Sequence, residues 1–121
     1  MKTHDDRIYL RHMLDAIERI GRYLEGVDQD EFEQRDLLQD GVIRQLEIIG
    51  EAARHVSSDL RHLYTEVPWR DIIDMRNKLI HDYFGVDVEL VWITATQDVP
   101  ALKAVLCKIL DDLGEDNEVC S

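Results

Sequence analysis

Apolar residues recur every third or fourth position along most of the chain, and no long stretch alternates in the two-residue rhythm of a strand. The first run, Ile8, Leu10, Met13, Leu14, Ile17, Ile20, Tyr23 and Leu24, marks one face of a helix. It follows "THDD", where Thr3 is placed to cap and Asp6 to complete a capping box. Gly26 can stop this helix, and Asp28 with Glu31 can cap the next. A second helix is predicted from about Asp30 to Val56, through Leu37, Leu38, Val42, Ile43, Leu46, Ile49 and Ala53. Gly50, Ala52 and Ala53 are small enough to let a neighbouring helix come close.

"SSDLRHLYTEVP" interrupts the pattern and holds at most a helical turn. Pro68 suits the first position of a further helix, carrying Trp69 to about Tyr83. Gly85 closes it, and Asp87 opens a last stretch in which Pro100 makes a kink or a division. Residues 114–121 are expected to fray. The fold class these elements predict is all-α: an up-and-down bundle of four or five helices, one domain over residues 1–113.

Length and composition agree, since 121 residues are one domain by size and 45% hydrophobic residues can fill a core. No uninterrupted apolar run of about 18 residues exists, so no membrane span is expected. The opening "MKTHDDRIYL" has no apolar core of a signal peptide. Cys107 and Cys120 form neither a disulfide framework nor a metal-ligand spacing, which points to a reducing cytoplasm.

Charge changes the picture more. A net charge of -12 opposes general nucleic-acid binding, because phosphates meet a repulsive average field. Between Arg54 and His81, however, five basic residues face four acidic ones. That segment carries +1 and the remainder -13, so a local anion site is possible within an acidic protein.

The candidate chemistry lies in "MRNKLIHDYFG", residues 75 to 85. On a helical wheel Arg76 falls in the middle of an apolar arc formed by Ile72, Ile73, Met75, Leu79 and Ile80. Tyr83 lies almost directly along the helix from it, Asn77 and His81 share the edge of the arc, and Asp71, Asp74, Lys78 and Asp82 take the opposite side. A guanidinium keeps its proton, so burying it unpaired costs several kcal/mol. Either an acidic residue of another helix pairs with Arg76, or Arg76 faces an anion in a crevice. His81 has an ordinary alternative too, a histidine stabilised at a helix C-terminus. Glu47, Glu51 and His55 form a row of helical neighbours that reads as a salt-bridged face, and His4 and His12 read as surface residues. No Gly-rich phosphate loop, nucleophile elbow or HExxH motif is present.

"MLDAIERIGRYLEG", "VIRQLEIIGEAA", "VPWRDIIDMRNKLIHDYFGVD" and "LVWIT", in this order, resemble HepT-like proteins. These are HEPN-domain ribonuclease toxins paired with a minimal nucleotidyltransferase antitoxin called MntA. The likeness covers about residues 5 to 110 and includes the Arg-x4-His-x-Tyr signature. It implies an endoribonuclease active site made of Arg76 and His81 with support from Asn77, composite between two protomers of a homodimer. It implies further that an MntA-like antitoxin adds AMP to Tyr83, as in a type VII-like toxin-antitoxin pair acting in the cytoplasm. RNA (tRNA or mRNA) is the implied substrate, with no metal or cofactor. The competing readings are a catalytically inactive helical interaction module that partners a nucleotidyltransferase, and a structural or metal-binding bundle.

Overall fold

Asp5 caps the first helix of the computed structural model, which describes residues 4–82 and 85–121; its carboxylate accepts a hydrogen bond from the Arg7 N–H at 3.1 Å. The capping role expected of Thr3 lies outside the described residues. The box that Thr3 would form with Asp6 lies outside them too, and the Asp6 carboxylate is engaged elsewhere. It accepts hydrogen bonds from the Ser57 N–H at 2.8 Å and the Ser57 hydroxyl at 2.6 Å, tying the start of α1 (Asp6–Tyr23) to the start of α4 (Ser58–Leu63).

The long second helix predicted by periodicity is divided. Asp28 caps α2 (Gln29–Gln34) as expected, accepting from the Glu31 N–H at 2.9 Å, but Arg35 leaves the helical conformation before α3 (Asp36–His55) begins. The break turns Phe32 wholly inward, where its ring meets Trp92 at 5.3 Å. The Gln39 amide donates to the carbonyls of Phe32 and Glu33, satisfying two of the acceptors that the break exposes. Apolar burial and those two bonds outweigh the turn of helix that continuity would have added.

α1 and α3 form the most extensive pair, with α5 (Trp69–His81) on the other side of α3. Leu10, Met13, Leu14 and Ile20 of α1 and Val42 and Ala53 of α3 are almost fully buried in the shared core. α5 ends at His81, short of the expected Tyr83. Asp87 caps α6 (Val88–Ile93) as its position predicts, accepting from the Leu90 N–H.

Pro100 does not divide the last stretch. α6 passes through a π turn at Thr94–Asp98 into α7 (Val99–Asp112), making one 25-residue helix. The proline ring would crowd the Thr96 carbonyl four residues back in a regular helix, and the widened turn relieves that contact. By length and mean hydropathy alone this helix could cross a membrane, although Asp98 and Lys103 interrupt its apolar residues. Its Val91, Ala95, Leu106, Ile109 and Leu110 are packed into the core of the bundle.

Residues 114–121, the expected tail, turn back along the helix. Gly114, at φ 74°, closes α7 with paired hydrogen bonds from its own N–H to Asp111 and from the Glu115 N–H to Leu110. The reversed chain brings Glu115 to Arg11 at 2.7 Å and forms a short 3₁₀ turn, Glu118–Cys120. Cys107 and Cys120 are joined in a disulfide with Cα atoms 5.6 Å apart, correcting the expectation that they stay separate.

Candidate active site

α5 crosses α3 at Gly50. A Cβ there would lie 2.2 Å from the Cβ of Arg76 and 3.0 Å from the carbonyl oxygen of Ile72. With only hydrogen at position 50 the two backbones close up, and the next residue of α3, Glu51, comes within reach of the arginine. The Arg76 Nη2 stands 3.0 Å from Glu51 Oε2, and Nη1 donates to Asn77 Oδ1 at 2.9 Å. The side chains are 26% and 39% exposed for Arg76 and Glu51, so the pair sits at the mouth of the helix crossing.

The contact with Glu51 is ionic: Oε2 is shielded from solvent yet receives no directed hydrogen bond, and Arg76 Nε is likewise shielded and unpaired. The other oxygen of Glu51 accepts from Arg54 Nη2 at 2.9 Å and meets His55 Nε2 at 3.1 Å. The Arg54 hydrogen bond holds the Glu51 carboxyl below the usual range against desolvation, which raises it. His55 and the charges of Arg54 and Arg76 add to the lowering.

Of the two fates open to Arg76, pairing with an acidic residue of another helix is the one observed. It leaves donors over, since a guanidinium has five N–H groups. Around the pair lies a cleft of about 210 Å³, lined by Arg76 and Ile80 of α5, Arg44, Glu47 and Glu51 of α3, and Tyr9 and His12 of α1, among others. The Glu47, Glu51 and His55 row is the salt-bridged face its spacing predicts: Arg44 approaches Glu47 at 3.9 Å and Glu51 gathers three basic groups. No group of three potential metal ligands occurs among the described residues.

Asn77 and Arg76 are thus brought together. His81 stands exposed as the last residue of α5, its side chain without a hydrogen bond or ion pair to another described residue and not among the residues lining the cleft. Tyr83 lies outside the described residues. Asp71, Asp74, Lys78 and Asp82 face water as the wheel requires. The apolar arc is less covered than expected: Leu79 is buried, but Ile80, beside Arg76, is 38% exposed. A larger apolar cavity of about 370 Å³, between α3, α5 and the final helix, contains none of the candidate residues.

Sequence reasoning placed Glu51 only in a helical row and missed it as the partner of Arg76. The available signal was a glycine followed by an acid on one helix and a mid-arc arginine on another. His4 and His12 are exposed as expected, but Tyr9 stacks on His4 and His55, at 5.4 and 5.2 Å, and meets His12 edge-on at 6.1 Å.

The family described as Ribonuclease HepT-like matches residues 13–109. Among individual proteins, the chain is 41% identical over 93% of its length to a Methanocaldococcus jannaschii protein named as a gamma-glutamylcyclotransferase and candidate RNase; it spans 50% of that relative's length. It is 42% identical over 89% of its length to the probable ribonuclease HepT of Thermococcus cleftensis, covering 96% of that protein. A candidate RNase of Caldanaerobacter subterraneus is 37% identical over 91% of the chain and 96% of the relative. No solved structure matches the chain significantly. The all-α bundle, the Arg76 motif and these matches converge: the chain belongs to the HepT-like ribonuclease family.

Proposed function

We propose that this protein is a metal-independent endoribonuclease whose site is completed when two copies bring their α5 ends together. The observation that carries the reading is the Arg76–Asn77 hydrogen bond, with His81 exposed at the same end of α5. Cleavage at a ribose 2'-hydroxyl needs a proton taken from that hydroxyl and one given to the leaving 5'-oxygen. His81 is the group for this transfer, a contribution of about 10²–10⁴-fold for general acid–base catalysis. Two-fold symmetry supplies a second His81, so one acts as base and the other as acid. Arg76 stabilises the charge that develops on the phosphorane oxygens. Asn77 holds the guanidinium in orientation from one side.

The separation of His81 from the Arg76 cleft within one copy, and the exposed Ile80 beside it, support a site that needs a second protomer. In this reading the protein is the toxin of a type VII-like pair in the cytoplasm. An MntA-like nucleotidyltransferase silences it by adding AMP to Tyr83, next to the motif. The added phosphodiester pairs with Arg76 and the nucleotide blocks the path of RNA.

The test is incubation of the purified protein with tRNA and with mRNA in the presence of EDTA. The parent cleaves and His81→Ala does not, with equal helix content in both. Cleavage by His81→Ala at the parental rate would remove the role given to His81. Absence of cleavage by the parent, with Tyr83 still adenylylated on co-expression with the nucleotidyltransferase, would make the chain an inactive interaction module. Mass spectrometry that finds AMP elsewhere, with Tyr83 bare and the toxin silent, would overturn the regulatory part.

A further inference from the structure

We propose that Glu51 is the positioning residue of the Arg76 guanidinium, fixing its orientation before RNA arrives. The inference rests on the catalytic reading of Arg76 given above. Three facts combine. Gly50 lets α5 approach until the Cβ of Arg76 touches the α3 backbone, so the arginine stem has no freedom to swing toward α3. Glu51 and Asn77 then engage the two terminal nitrogens from different directions, at 3.0 and 2.9 Å. Glu51 is itself held, because its second oxygen is taken by Arg54 at 2.9 Å and His55 at 3.1 Å.

A free arginine has many rotamers, and ordering it upon substrate binding costs up to about 2 kcal/mol. A carboxylate anchored by two other basic groups removes that cost in advance, which is the preorganisation that electrostatic catalysis requires. The charge of Glu51 has a second effect. Two Arg76 side chains brought together around a two-fold axis repel, and each carries its own counter-charge from the same protomer. Because the Glu51 contact is not a directed hydrogen bond, N–H donors of the terminal nitrogens remain for phosphate oxygens.

The test compares Glu51→Ala, Glu51→Asp and Glu51→Gln with the parent, using RNA cleavage kinetics and the Nε–Hε signal of Arg76 by NMR. Lys108→Ala, at a surface pair with Glu66 outside the cleft, is the control. Loss of positioning lowers kcat by about 10²-fold in Glu51→Ala and leaves KM within about threefold, since bound and transition states are not weakened alike. Glu51→Gln keeps the length of the side chain but removes the charge that makes the contact, so it falls about as far as Glu51→Ala. Glu51→Asp keeps charge and fold but withdraws the carboxylate, so it is impaired even if Glu51→Ala fails to fold. Lys108→Ala stays within about twofold of the parent. The Arg76 signal, sharp in the parent, broadens in all three Glu51 variants.

Parental kcat and an unchanged Arg76 signal in Glu51→Asp would overturn the proposal. The NMR signal separates this from failure of the catalytic reading. If Arg76→Ala cleaves RNA as well as the parent, Arg76 is not catalytic, and broadening or its absence in the Glu51 variants still decides whether Glu51 positions it.

Discussion

Gly50 and Arg76 touch backbone to side-chain stem: a methyl group at position 50 would stand 2.2 Å from the Cβ of Arg76. None of these neighbours is a flexible end, since the other close atoms are Arg76 Cγ and the Ile72 carbonyl oxygen, both at 3.0 Å. Glycine inside a helix costs about 1 kcal/mol relative to alanine, so its presence needs a reason, and this crossing supplies it.

Gly50→Ala is therefore expected to destabilise. The gain of about 1 kcal/mol in helix propensity is set against overpacking worth about 1–3 kcal/mol. A contact this short places the cost at the upper end. Denaturant unfolding should show a net loss of about 1–2 kcal/mol, and displacement of α5 should lower RNA cleavage with it. A variant as stable as the parent would contradict so close a crossing.

Arg76→Lys keeps the positive charge but not the planar fork. Lysine cannot meet Asn77 and Glu51 from two directions and still present N–H groups to phosphate. RNA cleavage should fall by about 10²-fold or more, with unchanged helix content by circular dichroism. Retention of parental kcat would mean that charge alone suffices.

The acid dependence of stability should carry the mark of Glu51. Its folded carboxyl titrates below its ordinary value of 4.5, so the group binds protons more readily in the unfolded chain. The stability it contributes is fully present above pH 4.5 and is lost as pH falls through the folded value. Melting curves of the parent and Glu51→Gln should differ by a constant amount at neutral pH and converge in acid. A difference that persists unchanged below the folded value would show that the ion pair is not its source.

Ile80 lies 38% exposed beside Arg76, an apolar side chain at the place where the composite-site reading seats a second copy. Light scattering at micromolar concentration should give twice the 14.1 kDa of one chain. Ile80→Asp should shift the mass toward 14.1 kDa and remove cleavage together. A parent that is monomeric and active would exclude the two-copy site.

The Cys107–Cys120 disulfide closes a loop over a sequence separation of 13 residues. Chain-entropy reasoning gives such a loop about 3 kcal/mol. Cys120→Ser should lower the melting temperature by about 10 °C under oxidising conditions. Reductant should lower the parent to the same value. Identical melting with and without reductant would show that Arg11–Glu115 and the Gly114 turn hold the tail without it.

Helix starts were legible wherever the signal is local. Asp28 and Asp87 cap because each carboxylate reaches an N–H three residues on, a distance that any chain carries along its own order. The polar side of α5 and the oddity of an arginine in its apolar arc follow from helical periodicity in the same way. The motif around Arg76 marked the family for a similar reason, being contained in consecutive residues.

Tertiary structure decided the rest. Phe32 breaks the second helix because its burial partner, Trp92, arrives from a distant helix. Pro100 is absorbed in a π turn, and the helices on both sides of that turn pack on the bundle. Cys120 reaches Cys107 because a left-handed glycine turns the chain back. Glu51 was visible as one member of a charged row, but which side chain it serves depends on the rotation and spacing of α3 against α5. Periodicity fixes the face of each helix; only packing fixes which two faces meet, and here it is the absence of a side chain at Gly50 that brings Glu51 to Arg76.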